Sequence, residues 1–446
     1  MTTPDGSDGS GGEVSRRRFL GYLIAAPTLA VAAPLGLDLA DPGAAGASIP
    51  SPPQPSDVVD LTDILYYSAL PTAHLITVVV NKDGTASFAL PRVESGQGIT
   101  TSTAMLIAEE LDLPVDQVYV TLADARPELV FNQFTAGSST TTDTYTAIRV
   151  AAALARQRLL EAAAIELGDD IDSLRTSGGS VISATGTELS YGSLAQKAAA
   201  TSTTTASTPL KPASQFRVIG TPTPRVDALE AVTGTKQYTM DVNAPGALPT
   251  MICRPPTING TVLAVTNRAA IAAMPGITDV AAIPTGVAVR GQTFGQCIDA
   301  VRALQVDWGP GDVDGESDAT VHQQLKAAQL PFAVPTLPLA ETIEHEFTFW
   351  WKSNSALEPQ TAVADVLPDG ATIWSACQTP ILTQETIAKD LGLALDAVTV
   401  HVTEGGGAFG RRMFVDAPLE AARISKAVGK PVRLMWSRTD EFRWGR

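Results

Sequence analysis

Two short apolar runs bracket a polar turn in one early stretch. Val78-Val79-Val80 and Ala86-Ser87-Phe88-Ala89-Leu90 flank the polar turn Asn81-Lys82-Asp83-Gly84, which predicts a β-hairpin over 75–90. A helical pattern follows. Ile99–Leu111 carries apolar residues at helical spacing and stops short of Pro114, so a helix is expected there. Val118–Leu122 reads as a short strand and the Ala/Leu-rich Tyr145–Leu167 as a long helix. The Ala/Ser/Thr/Pro-rich stretch 196–213 predicts an interdomain linker, as does the Pro/Ser-rich stretch 48–60. Residues 214–310 are strand-rich with Gly and Pro punctuation, 311–340 read as irregular, and from Thr342 strands and helices alternate again. The expected fold class is mixed α/β, or α+β, with units at 48–213, 214–310 and 311–446 behind a leader at 1–47.

Two stretches of this pattern match each other. IAEELDLPVDQVYV at 107–120 and IAKDLGLALDAVTV at 387–400 agree at seven of fourteen positions. Each reads as a helix end, a turn opened by Asp116 or Asp396, and a strand. Shared helix-to-strand grammar is one explanation and a duplicated module is the other. Duplication also sets Gly98 opposite Gln378, so that two related loops converge on one ligand.

The 446 residues are 44% hydrophobic and 17% charged, enough to bury cores in more than one domain. A net charge of -16 argues against nucleic acid as a partner and against broad docking on anionic membranes. Cys253, Cys297 and Cys377 form no CxxC pair. Three thiols are too few for a four-cysteine iron–sulfur cluster and are odd in number for a disulfide framework, so they read as small buried hydrophobes. His74, His322, His345 and His401 are scattered and show no metal-ligand spacing.

The N-terminus changes the picture more. A polar Gly/Ser-rich stretch leads into Ser15-Arg16-Arg17-Arg18-Phe19-Leu20-Gly21 and an apolar run to Leu39, with small residues Ala45-Gly46-Ala47 beyond it. This is the layout of a twin-arginine export signal, a route for proteins that are already folded. The rival, a retained anchor, fits less well because Pro27, Pro34 and the many alanines leave the run short and weakly apolar. Export after folding suits a protein that takes up a complex cofactor first.

Three loops carry candidate chemistry. Glu94-Ser95-Gly96-Gln97-Gly98 precedes the helix at Ile99, where free N–H groups and the Gln97 amide make either an anion seat or a plain strand-to-helix turn. Thr135-Ala136-Gly137-Ser138-Ser139-Thr140-Thr141-Thr142 precedes the long helix and is either a phosphate cradle or a Ser/Thr-rich cap. Gly405-Gly406-Gly407-Ala408-Phe409-Gly410-Arg411-Arg412 follows the strand Val398–Val402. Its spacing is neither Walker nor dinucleotide-binding, and its guanidinium forks suit phosphate oxygens.

The ordered set Gln378-Thr379-Pro380, the helix–strand module, GGGAFGRR, Glu420-Ala421-Ala422, Gly429-Lys430-Pro431-Val432 and Trp436-Ser437-Arg438 resembles the molybdenum-binding large subunit of the xanthine dehydrogenase/aldehyde oxidase family. Within it, the pattern is most similar to the isoquinoline 1-oxidoreductase beta-subunit group. Arg225-Val226-Asp227, Val232-Thr233-Gly234, Asp241-Val242, Pro275-Gly276-Ile277 and Val306-Asp307-Trp308 resemble the family's α/β hammerhead domain, which places 214–310 between two molybdopterin-binding portions.

The resemblance implies a molybdopterin with molybdenum, in bacteria usually the cytosine dinucleotide form. Gly96, Gln97 and Gly98, Thr135, Ala136, Gly137 and Ser138, and Gly406, Gly407, Phe409, Gly410 and Arg411 would hold it. Gln378 would hydrogen-bond an oxygen ligand of the metal, and no side chain need ligate molybdenum. The implied chemistry is hydroxylation of N-heterocycles or oxidation of aldehydes with oxygen from water. Met413 stands where purine-oxidising members carry an acid, which argues against purines. The implied partners are a small subunit carrying 2Fe-2S clusters, a small-molecule substrate and an acceptor such as a cytochrome. Relatives place a glutamate base several hundred residues further along, so a second chain with that half is also expected. Within this sequence Glu358 is the one substitute base, while Glu94 and Glu404 are expected to face away from the ligand. The competing expectation is a non-catalytic exported protein that keeps the fold and binds cofactor or partner.

Overall fold

Seven strands among the described residues build one sheet. In chain order they are β1 (Leu248–Cys253), β2 (Ile277–Ile283), β3 (Gly286–Gly291), β4 (Thr361–Leu367), β5 (Gly370–Ser375), β6 (Val398–Val402) and β7 (Val432–Met435), and their spatial order is β6-β5-β4-β7-β1-β3-β2. The structure is a computed structural model describing residues 61–200, 208–329, 343, 345–350 and 352–444. The leader with Arg16 and Arg17, and the stretch 48–60, lie outside the described residues.

Strand β4 explains the sheet's centre. Thr361, Ala362, Val363 and Ala364 are all buried, as expected of a strand covered on both faces. It pairs antiparallel with β5 and β7, while β5 and β6 run parallel. That parallel pair needs a crossover, supplied by the helix α1 (Pro380–Leu391), with Pro380 in its first turn where a missing N–H costs nothing. Helix α2 (Asp416–Val428) turns Ala417, Ala421, Ala422 and Ile424 into the core against Ala362, Ala364, Ile373 and Val400. Small side chains on both elements allow close approach.

The described residues form two compact units. One holds those of Phe88–Ala104, of Tyr119–Ala136 and from Pro222 onward, and includes this sheet; the other holds those up to Ser87, of Met105–Val118 and from Gly137 to Thr221. Residues 214–310, expected as a unit of their own, contribute β1, β2 and β3, so the sheet crosses that boundary. The overall class is mixed α/β, as read from the sequence.

In the second unit, the hairpin pairs Val79–Val80 with Ala86 and Ser87, and the long helix runs from Thr140 to Leu167. Buried Glu110 receives Arg149 through Nε at 2.9 Å and Nη2 at 2.6 Å, and Arg156 at 2.8 Å. Glu109 accepts from the N–H groups of Arg217, Val218 and Ile219. The residues that follow the expected linker are thus fastened to a helix by a carboxylate. A three-stranded sheet, Arg175–Ser177, Ser180–Ile182 and Glu188–Ser190, is absent from the sequence-based expectation, because strands of three residues carry too little alternation to read. So is the helix Asp318–Ala327 within the stretch read as irregular. It is capped by Ser317 and lacks buried residues, so it has no apolar stripe.

The repeat is repeated in backbone. Helix end, 3-10 turn and strand fall at Leu111, Val115–Gln117 and Val118–Leu122 in one copy, and at Leu391, Leu395–Ala397 and Val398–Val402 in the other. Both helices close on a left-handed residue, Asp112 (φ 53°) and Gly392 (φ 73°), followed by the same long turn bond, Leu113 N–H to Ala108 O and Leu393 N–H to Ala388 O.

Candidate functional site

Gln378, one residue before the cap of α1, joins two of the predicted loops. Its N–H donates to Arg412 O at 3.0 Å, its carbonyl accepts from Thr135 N–H at 3.0 Å, and its Nε2 donates to Thr135 O at 2.7 Å. Thr135 Oγ1 in turn accepts from Val93 N–H at 3.0 Å, and Gly405 N–H donates to Glu94 O at 3.0 Å. The turns around Glu94, Thr135 and the glycine run are therefore held together around Gln378. Its Oε1 is buried with no partner among the described residues. A buried unpaired amide oxygen costs free energy and marks a place where a ligand supplies the missing partner. Beside it Cys377 is buried, and burial pushes its thiol up to about 12. Cys297 is also buried, and Cys253 half-buried, all three as free thiols.

The Gly96-Gln97-Gly98 turn does not offer the open helix start expected of it. Glu94, expected to face away, turns inward and takes those donors itself. Its Oε1 accepts from the N–H groups of Gly96 at 2.8 Å and Gly98 at 3.0 Å, and its Oε2 from the Thr100 N–H and hydroxyl at 3.2 Å each. A carboxylate at a helix N-terminus is favoured for the same reason a phosphate would be, so it fills the anion seat. Gln97 is likewise engaged locally, accepting from Ser95 N–H at 2.7 Å and donating to Val93 O at 2.8 Å. Gly96 and Gly98 are needed for their left-handed backbones, φ 105° and 81°.

The glycine-rich turn is different. Glu358 clamps its entrance: Oε2 accepts from Gly406 N–H at 3.0 Å and from Arg412 at 2.9 Å, while Oε1 accepts from Met240 N–H at 3.1 Å. Burial pushes the Glu358 carboxyl up, against the pull of Arg412. Its oxygens are occupied, so this residue, expected as a substitute base, is a structural clamp. A Cβ on Gly406 would stand 2.6 Å from Glu358 Cβ, so that glycine serves packing within the chain. Beyond it, the N–H groups of Gly407, Ala408, Phe409 and Gly410 make no hydrogen bond among the described residues. Left-handed φ values at Gly407 (108°), Phe409 (50°) and Gly410 (80°) fold this run into a nest of donors. Phe409 is 69% exposed and strained.

The arginines after the nest were expected to offer guanidiniums to phosphate. Both turn inward instead. Arg411 is buried, pairs with Asp416 at 2.8 Å and lies 5.4 Å from the Trp436 ring centroid; Arg412 is spent on Glu358 and the carbonyls of Gly407 and Pro359. Arg411 bonds Asp416 and Trp444 O through Nη2, while its Nε and Nη1 are buried without a partner among the described residues. Ala136 lies in the same unit as Thr135, whereas Gly137 and Ser138 belong to the other unit, with φ 63° and 57°, just before the long helix.

Sequence reasoning gives no role to a charged group at the edge of these turns. Arg225 forms a fork with Asp227, at 2.8 and 2.7 Å, and its Nη1 donates to Gly96 O at 2.9 Å. Lys236 is buried and bridges Asp227 and Glu404. Hydrogen bonding from Arg225, reinforced by Lys236, holds the Asp227 carboxyl well below the usual range, while burial raises that of Glu404 against the pull of Lys236. Glu404 thus faces inward, contrary to expectation. A signal is present, since Arg225-Val226-Asp227 stands out as a motif, but spacing alone assigns it no partner.

The residues fit a bound organic cofactor at two places: the 407–410 donor nest suits an anionic or accepting edge, and the unpaired amide oxygen of Gln378 suits a donor. They do not fit a phosphate at the Gly96–Gly98 helix start, which Glu94 already fills. Comparison with known proteins agrees on the cofactor. The molybdopterin cofactor-binding domain family matches in two blocks, residues 62–240 and 337–445. A nicotinate dehydrogenase subunit of Pseudomonas putida is 30% identical over 82% of this chain and 32% of that protein. The beta subunit of isoquinoline 1-oxidoreductase from Brevundimonas diminuta is 30% identical over 96% of this chain and 60% of that protein. Among solved structures, aldehyde oxidoreductase from Desulfovibrio gigas aligns over 86% of this chain and 48% of its own, at 14% identity and a TM-score of 0.39. The chain spans less than two thirds of the length of these relatives. It belongs to the molybdopterin-binding subunits of the xanthine dehydrogenase family.

Proposed function

We propose that this chain is the cofactor-holding part of an exported molybdenum oxidoreductase that hydroxylates N-heterocycles or oxidises aldehydes with oxygen from water. The observation that carries this reading is the run of four unpaired N–H groups, Gly407 to Gly410, together with the buried, half-satisfied amide of Gln378. When bound, molybdopterin supplies the metal centre that performs the redox step. The donor nest would hold the cofactor's acceptor edge, here in the cytosine dinucleotide form. Gln378 spends one N–H of Nε2 on Thr135 and has a second N–H and Oε1 to orient the group beside it. N-heterocycles are the first substrate class because the two relatives are named for nicotinate and isoquinoline, both aromatic nitrogen rings.

Proton removal from the nucleophile needs a carboxylate within about 3 Å of it. Glu94 and Glu358 spend their oxygens on backbone and Arg412, and Glu404 is paired with Lys236. The base therefore comes from elsewhere in the assembled enzyme. Electrons leave through 2Fe-2S clusters of a partner subunit toward an acceptor such as a cytochrome; that both relatives are named as subunits supports a multi-chain enzyme.

The test is to purify the complex from its native host and measure metal, nucleotide and turnover. Molybdenum and a cytidine nucleotide are expected in equal amounts with the chain, together with dye-linked oxidation of an N-heteroaromatic compound or an aldehyde. A complex that carries neither molybdenum nor pterin would overturn the reading. Export is proposed from Arg16-Arg17 ahead of the apolar run. Changing both to Lys is expected to leave the protein in the cytoplasm, and cell fractionation showing normal export of that variant would exclude the twin-arginine route.

A further inference from the structure

Between the Gly96-Gln97-Gly98 turn and the glycine-rich turn runs an unbroken line of charge. Gly96 O accepts from Arg225, Arg225 forks onto Asp227, Asp227 pairs with Lys236, and Lys236 pairs with Glu404, the residue before the glycine run. The line is buried in its middle and open at both ends: the side chains of Asp227 and Lys236 are 8% and 5% exposed, those of Arg225 and Glu404 39% and 26%. Glu94, whose carboxylate orders the first turn, stands 3.6 Å from Arg225 and accepts Gly405 N–H at its carbonyl.

We infer that Arg225, Asp227, Lys236 and Glu404 form a charge latch that fixes the spacing of the two turns, and that Lys236 is a positioning residue for the cofactor seat. The physical case has three steps. A buried ammonium with two carboxylate partners has a defined place, because leaving it would strand charges in a medium that solvates them poorly. The planar Arg225 fork transmits that place to Gly96 O with little rotational freedom. The free N–H groups of 407–410 begin three residues after Glu404, so displacing Glu404 displaces the nest. The assignment to a cofactor rests on the function proposed above; the coupling of the two turns does not.

The experiment uses the full chain in its native complex. Lys236→Met is expected to raise hydrogen exchange in peptides covering 94–98 and 404–406 about tenfold, the scale of one lost charge-assisted hydrogen bond, and to lower molybdenum per chain. Lys236→Arg, which keeps the charge, is expected to restore both. The double variant Lys236→Met/Glu404→Gln removes the stranded carboxylate, so its melting temperature should recover while exchange and molybdenum stay altered. A purely structural ion pair would instead let all three recover together, and that result overturns the latch. So does unchanged exchange in folded Lys236→Met. Where that variant fails to fold, Glu404→Gln keeps the Lys236–Asp227 pair and should loosen 404–406 alone; no loosening there overturns the proposal. Absence of molybdenum from the unaltered protein would remove the cofactor reading and leave the exchange result to judge the latch.

Discussion

Replacing Glu358 with alanine is expected to destabilise the sheet-bearing unit by about 3–5 kcal/mol, the range for removing one member of a buried ion pair. Gly406 N–H and Met240 N–H lose their partner, and Arg412 loses its carboxylate while keeping the carbonyls of Gly407 and Pro359. Arg412 is itself buried, and burial holds its pKa below the ordinary guanidinium value. The exposed Gly406 N–H should then exchange freely, because its bond to Glu358 is the one that holds it. Glu358→Gln separates clamp from base. An amide presents an NH2 where one of three donors must bind, so a clamp loses stability with this substitution too. A general base would lose turnover while melting as the unaltered protein does. Thermal unfolding of the complex, read beside steady-state oxidation, decides between them.

Gly407→Val is expected to remove bound molybdenum and to disorder the 405–410 turn. Sequence alone attributes such an effect to blocked access for a ligand. The structure gives a different cause. At φ 108° a β-branched residue clashes with its own backbone, and the new Cβ would also lie 3.1 Å from that of Ala356. Strain in such regions costs on the order of 1–3 kcal/mol before any contact is counted. Gly96→Ala is the control: its φ is 105°, but an added Cβ meets nothing within 4 Å. It should lose some stability to strain and keep its molybdenum, since Glu94 still binds the Gly98 and Thr100 donors. Metal analysis and circular dichroism of the two variants make the comparison. Equal molybdenum loss in both would mean that the first turn carries the cofactor as much as the second.

Local pattern is enough for the hairpin, for the helix at Ile99–Leu111, for the strand at Val118–Leu122 and for the repeat, because each is written in neighbouring residues. Convergence of the Gly96–Gly98, Thr135 and glycine-run turns is what the family resemblance implies. Side-chain direction does not. Arg411 and Arg412 look like phosphate ligands until Asp416, Glu358 and Trp436 are placed around them. Repulsion by a ligand anion would turn Glu94 outward, but the chain's own N–H groups attract it more. The line from Arg225 to Glu404 joins residues far apart in sequence, and no periodicity encodes such a pairing.

The inward turn of Glu94 bears on how the protein matures. One wall of the site takes its shape from a carboxylate the chain carries with it, so it stands as soon as the polypeptide has folded. The opposite wall, Gly407 to Gly410, has donors that nothing in the described chain satisfies. On the proposed function, the cofactor would meet one turn already satisfied by the chain and one whose donors it would satisfy. Loading would be read out there, in a turn whose exposure to solvent would fall on binding.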